Sequence, residues 1–116
     1  MKSQRVARID HEIQRVLGTL FTRDLTDPRI AFTTVTQVHV SPDLRHAKVY
    51  VSIIGDRHAA RQTMDALKNA SGFLRGELGR EIELRYTPEL QFVEDRTTER
   101  AVALSKTLRE AGTGES

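Results

Sequence analysis

"LKNASGFLRG", residues 67–76, decides how the middle of this 116-residue chain is read. Leu67 and Leu74 are two helical turns apart, and Ala70, Ser71 and Gly72 lie between them. Glycine in a helix interior costs about 1 kcal/mol relative to alanine. Serine competes for nearby backbone groups and favours caps. The stretch therefore predicts a helix that stops at Ala70-Ser71-Gly72 and restarts, with Ser71 as the new cap. A break this short sets two helices at an angle without reversing the chain. It also leaves backbone N–H groups free at the start of the second helix, where partial positive charge favours an anion.

Upstream, Asp56 is the expected N-cap, and Ala60, Met64 and Leu67 share one helical face. Downstream, Phe73, Leu74 and Leu78 turn inward and Gly79 ends the helix. A valine at Gly72 is expected to destabilise the fold, because it suits neither a positive φ nor tight packing.

Two strands precede this region. "TTVTQVHVS" (33–41) and "RHAKVYVSII" (45–54) alternate in polarity and are rich in β-branched residues. "SPDL" between them has turn chemistry. A hairpin closed by residues 41–44 pairs Val40 with Arg45, Val38 with Ala47 and Thr36 with Val49, all on the core face. Val35, Gln37, His39, Lys48 and Tyr50 then line the opposite face, and His39 sits beside His46. A first helix spans 3–24, capped by Ser3, with Val6, Ile9, Ile13, Val16, Leu17 and Leu20 on its apolar face. Pro28 in "LTDPR" bars its continuation. Residues 82–94 read as extended. Pro88 restricts the regular strand to 89–94, where Leu90 and Phe92 alternate. Phe21, Phe73 and Phe92 read as core. A last helix over 96–110 turns Ala101, Leu104 and Leu108 inward, with Asp95 as its N-cap, and "AGTGES" forms a polar, disordered tail.

The expected fold class is α+β, in two layers: a three-stranded sheet covered on one face by helices, in the order α-β-β-α-kink-α-β-α. One domain over residues 1–110, with a tail over 111–116, accommodates the whole chain.

Composition narrows the function. Hydrophobic residues make up 38% and charged residues 29%, and mean hydropathy is −0.45, which suits a soluble globular protein. No cysteine is present, so thiol chemistry is excluded and a reducing cytoplasm fits. No apolar run approaches the roughly 20 residues that span a bilayer. The first ten residues lack the apolar centre of a secretory signal. The net charge is +2, but residues 1–50 carry eight Lys/Arg against five Asp/Glu. Arginine supplies 14 of the 18 basic residues, and its forked guanidinium suits phosphates as well as surface ion pairs.

Several blocks occur together: "LTDPRI" (25–30), "VTQVHVSPDLRHAKVYVS" (35–52), "ASGFLR" (70–75) and "LRYTPELQFVED" (84–95). In this order the chain resembles the ribosome-binding factor A family, whose fold is a type II KH-like domain, from about Arg5 to Leu108. Ordinary KH modules clamp nucleic acid with a Gly-x-x-Gly loop. Here Ala70-Ser71-Gly72 stands in its place, as the family's interhelical kink does. The resemblance implies a non-catalytic factor that binds free 30S subunits rather than mature ribosomes. It implies a role in late maturation of 16S rRNA, near its 5′-terminal helix, with particular need in the cold. Assembly GTPases enter as partners only through the family. A monomer in the cytoplasm is the default.

The candidate RNA-contacting set follows from charge and placement: Arg5, Arg8, Arg15, Lys48, Lys68, Asn69, Ser71, Gly72, Arg75, Arg80 and Arg85. Lys68 and Arg75 flank the kink, and Arg80 and Arg85 extend the patch. Arg5, Arg8 and Arg15 form a ridge on the first helix, which either meets phosphates or pairs with Glu12 as a solvated face. Lys48 beside Tyr50 offers a stacking surface on the open sheet. No metal site or cofactor is expected, because His39 and His46 lack a third ligand. No catalytic motif is present. The competing reading is a KH-like protein-interaction module that touches no RNA.

Overall fold

A helix starts where its first free N–H finds an acceptor, and Ser3 supplies one. Its Oγ accepts the Val6 N–H at 3.2 Å. In the computed structural model, which describes residues 3–23, 30 and 33–96, helix α1 spans Gln4–Arg23. Val6, Ile9, Ile13, Val16, Leu17 and Leu20 are all buried, as their spacing predicts.

Strands β1 (Thr33–Val40) and β2 (His46–Ile53) pair antiparallel, and β3 (Glu89–Glu94) pairs parallel with β2. The sheet order is β1-β2-β3. A parallel step needs a long crossover, and helix α2 (Arg57–Glu81) provides it. Asp56 caps α2, its Oδ1 accepting the Ala59 N–H at 2.8 Å. Val35, Val38, Val40, Ala47, Val49, Val51 and Leu90 point into one core with α1 and α2. Gln37, His39, Lys48, Glu89 and Gln91 are exposed on the opposite face. The result is a two-layer α+β fold with helices on one face of the sheet.

The hairpin register differs from the expected one. Val40 pairs with Ala47 and Val38 with Val49, and the Ser41 N–H donates to the His46 carbonyl at 2.8 Å. The loop is thus residues 42–45, one position further along. The Ser41 hydroxyl donates to Asp43 Oδ1 (2.6 Å) and its oxygen accepts the His46 N–H (3.1 Å). Asp43 Oδ1 also accepts the Arg45 N–H at 3.1 Å. Leu44 takes a left-handed φ of 63° to complete the turn. His39 consequently faces Lys48 rather than His46, and its ring meets Tyr50 edge-on at 5.8 Å.

A bulge between Val35 and Gln37 overturns the expectation for Thr36. The extra residue reverses the alternation beyond it, so Val35 is buried and Thr36 is exposed. The Thr36 hydroxyl donates to Asp95 Oδ2 at 2.7 Å, linking the bulge to the end of β3. Any capping by Asp95 of the helix expected over 96–110 lies outside the described residues.

The predicted break in α2 does not occur. Its hydrogen-bonded helix runs uninterrupted for 25 residues, about 37 Å. Leu67, Leu74 and Leu78 are fully buried along it. Burial of one such side chain is worth roughly 1.5–3 kcal/mol, more than the cost of one glycine. Ser71 does not cap a new helix; its hydroxyl donates back to the Lys68 carbonyl at 2.8 Å. A Cβ at Gly72 would meet nothing within 4 Å and its φ is not left-handed, so, contrary to expectation, the fold leaves room for a side chain there. Gly79 does not end the helix either. The end comes at Ile82, extended at φ −120°, whose N–H donates to the Leu78 carbonyl. Phe73, expected in the core, is 50% exposed, while Phe21 is buried against Phe92 with ring centroids 6.4 Å apart.

The hairpin loop carries a pH signature. The Ser41 hydroxyl, and then the Arg45 N–H, favour ionised Asp43 and lower its carboxyl below the ordinary aspartate value. A depressed folded-state value means the stabilisation is present above the unfolded value. It is lost as pH falls through the folded one. Melting temperature is therefore expected to fall in acid below the usual carboxylate range, and by less in Asp43→Asn. Parallel pH profiles for both proteins would refute that role.

Candidate nucleic-acid interface

The predicted cations fall into three places. On α1, Arg5, Arg8 and Arg15 are exposed on the side away from the core. Arg15 Nη2 lies 3.6 Å from Glu12 Oε2, a surface pair worth little and no barrier to a phosphate. Arg15 also lines a small hollow of about 100 Å³ with Val16, Thr19, Leu20 and Glu81, where the end of α2 meets α1.

On α2, Lys68, Asn69, Arg75 and Arg80 are exposed, and Ser71 is half-buried. Helical spacing puts Lys68, Ser71, Gly72 and Arg75 on one side of α2 and turns Asn69 and Arg80 toward the neighbouring side, with Phe73. Because the helix is continuous, its amides at 71–75 lie in a helix interior, not at an N-terminus. The expected phosphate seat on free N–H groups at the kink is therefore absent. What remains of that prediction is side-chain charge. Lys68 lines a hollow of about 630 Å³ between α2 and the edge of β3, with Met64, Asp65, Ser71, His46 and residues 89–92. Arg80 lies 3.4 Å from Glu77.

Arg75 is not a loose surface cation. Its Nε and Nη2 both donate to the Thr87 carbonyl, at 3.1 and 2.9 Å. This clamp ties α2 to the segment after it and holds the guanidinium in place, with further N–H groups outward. Arg85 is on that segment, its guanidinium carbon 5.6 Å from the centroid of the Tyr86 ring. Lys48 stands apart from all of these, on the sheet face opposite the helices, beside His39 and Gln91. The structure thus joins Arg75 and Arg85, places Lys68 and Arg80 further along the same helix, and leaves Lys48 in a separate environment.

Sequence reasoning missed two neighbours of this cluster. Tyr86 is 68% exposed, and Arg45 reaches the same hollow from the hairpin loop. The available signal was an Arg-Tyr pair between apolar anchors in "ELRYTP" (83–88), where an extended segment has no reason of its own to expose an aromatic.

The comparisons with known proteins converge. A family model described as ribosome-binding factor A matches residues 5–108. The ribosome-binding factor A of Lachnoclostridium phytofermentans is 47% identical over 108 residues, spanning 92% of this chain and 79% of that protein. Its counterpart in Heliobacterium modesticaldum is 46% identical over 110 residues, spanning 95% and 91%. The crystal structure of ribosome-binding factor A from Thermus thermophilus superposes with a TM-score of 0.71 at 28% identity. It covers 79% of this chain and 98% of its own. A Thermus thermophilus ribosome-binding factor A fitted into a cryo-EM map of a 30S complex gives a TM-score of 0.63 at 29% identity, with coverages of 82% and 96%. With these neighbours, the layers and element order make the fold KH-like.

Proposed function

Because this chain belongs to the ribosome-binding factor A family, we propose that it is a non-catalytic factor that binds the small ribosomal subunit. The observation that carries this reading is the family match over residues 5–108, joined to a relative fitted as part of a 30S complex. The finer reading is that it acts late in 30S maturation, on 16S rRNA near its 5′-terminal helix. It prefers free subunits to mature ribosomes and matters most in the cold. It works as a cytoplasmic monomer, alongside assembly GTPases.

The physical logic is population shift. A protein that binds one RNA arrangement better than its alternatives favours that arrangement by its differential affinity alone, without a chemical step. The exposed arginines and lysine on α1 and α2 supply the phosphate contacts.

Co-sedimentation with separated small subunits, large subunits and whole ribosomes tests it. Selective pelleting with small subunits, weakening steeply with salt, is the expected result. Lys68→Glu with Arg80→Glu should reduce that binding by about tenfold and flatten its salt dependence, since both side chains are exposed and outside the core. Wild-type protein that pellets with no particle defeats the ribosomal reading and promotes a protein-interaction module instead.

A further inference from the structure

The segment after α2 is built to hold one aromatic ring outward. Ile82 is buried, Leu84 packs against the core and Pro88 is fully buried, so both ends of the segment are pinned. Between these anchors the backbone is fastened again. Arg75 clamps the Thr87 carbonyl, and the Thr87 side chain lies where only a glycine at position 79 leaves room. Tyr86 projects from this fastened stretch with 68% of its surface in water. Exposing a ring that large forgoes a substantial burial term.

Its surroundings indicate what it meets. Tyr86 and Arg75 form a ridge between two hollows. One, of about 450 Å³, is lined by Arg45, His46, Arg75, Tyr86, Thr87 and Glu89. The other, of about 470 Å³, runs over the bare helix surface at Gly72, Gly76 and Gly79 and adds Arg85. Three exposed arginines thus converge on one exposed ring, and the acidic residue among them, Glu89, lies 3.9 Å from His46. Arg85 approaches the ring in cation–π geometry. An aromatic face beside preorganised guanidinium groups is what an unpaired nucleotide requires: stacking for the base and forked donors for its phosphate. Duplex RNA presents no free base face to such a ring.

We propose that Tyr86, with Arg75, Arg85 and Arg45 around it, seats an unpaired nucleotide of single-stranded RNA. The inference rests on the reading that the protein binds ribosomal RNA, and it assigns the single-stranded part of that contact to this ridge. Glu89 and His46 rim the seat.

The test is a titration of the ¹⁵N-labelled protein with a short oligouridylate and with a duplex of equal length, read as amide shifts. Co-sedimentation of the same variants with small subunits runs in parallel. With the single strand, shifts are expected at Arg45, His46, Arg75 and residues 85–87. Tyr86→Ala should weaken single-strand affinity by about tenfold, as loss of one stacked base does. Tyr86→Phe should retain it, and neither change should alter duplex binding. Tyr86 is exposed, so both variants should melt as the wild type does. Single-strand affinity unchanged in Tyr86→Ala overturns the proposal, as does wild-type protein that shifts only elsewhere or not at all. If Tyr86→Ala lost subunit binding while keeping its single-strand affinity, the seat would be refuted and the ridge would be a protein contact. Wild-type pelleting with small subunits in any of these cases would leave the assembly-factor reading standing. Failure of the wild type to pellet would remove that reading separately.

Discussion

Asp10→Ala should destabilise the protein by about 2 kcal/mol, as expected when a buried charged hydrogen bond is lost and its partner is left unpaired. Asp10 lies on the inner side of α1 at 8% exposure, and its Oδ1 accepts the Val40 N–H at 2.8 Å. Val40 is the last residue of β1, and its side chain is also buried. The carboxylate therefore joins the helix that carries Arg5 and Arg8 to the end of the strand beneath it. Without it, the Val40 N–H loses this acceptor. Asn at the same position keeps an acceptor oxygen and should cost less. Urea unfolding would show the effect as a lower midpoint with an unchanged slope. In a melt it would be a drop of roughly 10 °C for a domain of this size. A loss within about 0.5 kcal/mol, the range of ordinary surface changes, would show that the bond contributes little.

The second expectation is a pair of opposite signs. Gly72→Ala should stabilise by roughly 0.5–1 kcal/mol, and Gly79→Ala should destabilise by roughly 1–2 kcal/mol. Both positions lie inside α2, so helix propensity favours alanine equally at each. Their surroundings differ. A Cβ at Gly72 meets nothing within 4 Å, whereas one at Gly79 would stand 2.7 Å from Thr87 Oγ1. Thr87 is β-branched and its backbone is held by Arg75, so it has little freedom to withdraw. The displaced segment carries Tyr86 and Arg85. Gly79→Ala should therefore weaken small-subunit binding as well as stability, and Gly72→Ala should leave the fold intact. Two alanine variants with equal melting temperatures would contradict both the uninterrupted helix at 72 and the close approach at 79.

Much of this is visible in the residues themselves. The inward faces of α1 and β2, the Ser3 and Asp56 caps and the limits of β3 all follow from local periodicity and side-chain chemistry. Errors begin where one energy has to be weighed against others at a distance. The break expected at Ala70-Ser71-Gly72 rests on a local cost of about 1 kcal/mol. The buried Leu67, Leu74 and Leu78 outweigh it, but their burial depends on a sheet formed elsewhere in the chain. Strict alternation places Thr36 inward, and a bulge, which alternation cannot announce, turns it out to Asp95. Hydrophobicity places Phe73 inward, although the side of α2 it occupies faces water.

The candidate interface divides in the same way. The exposure of Arg5, Arg8, Lys68, Arg75 and Arg80 is legible because charged residues between apolar helical positions face solvent. The assembly of Arg45, Arg75 and Tyr86 around one hollow is not, since a hairpin loop, a helix and the segment following it converge there.

By itself, the sequence determined the fold class, the inward-facing row of α1 and the family, because these rest on repeating local patterns spread along the whole chain. Tertiary structure alone decided the hairpin register, the continuity of α2 and the outward ring of Tyr86. Each of those is the outcome of a competition between a small local preference and larger energies of burial and hydrogen bonding, contributed by residues far away in the sequence.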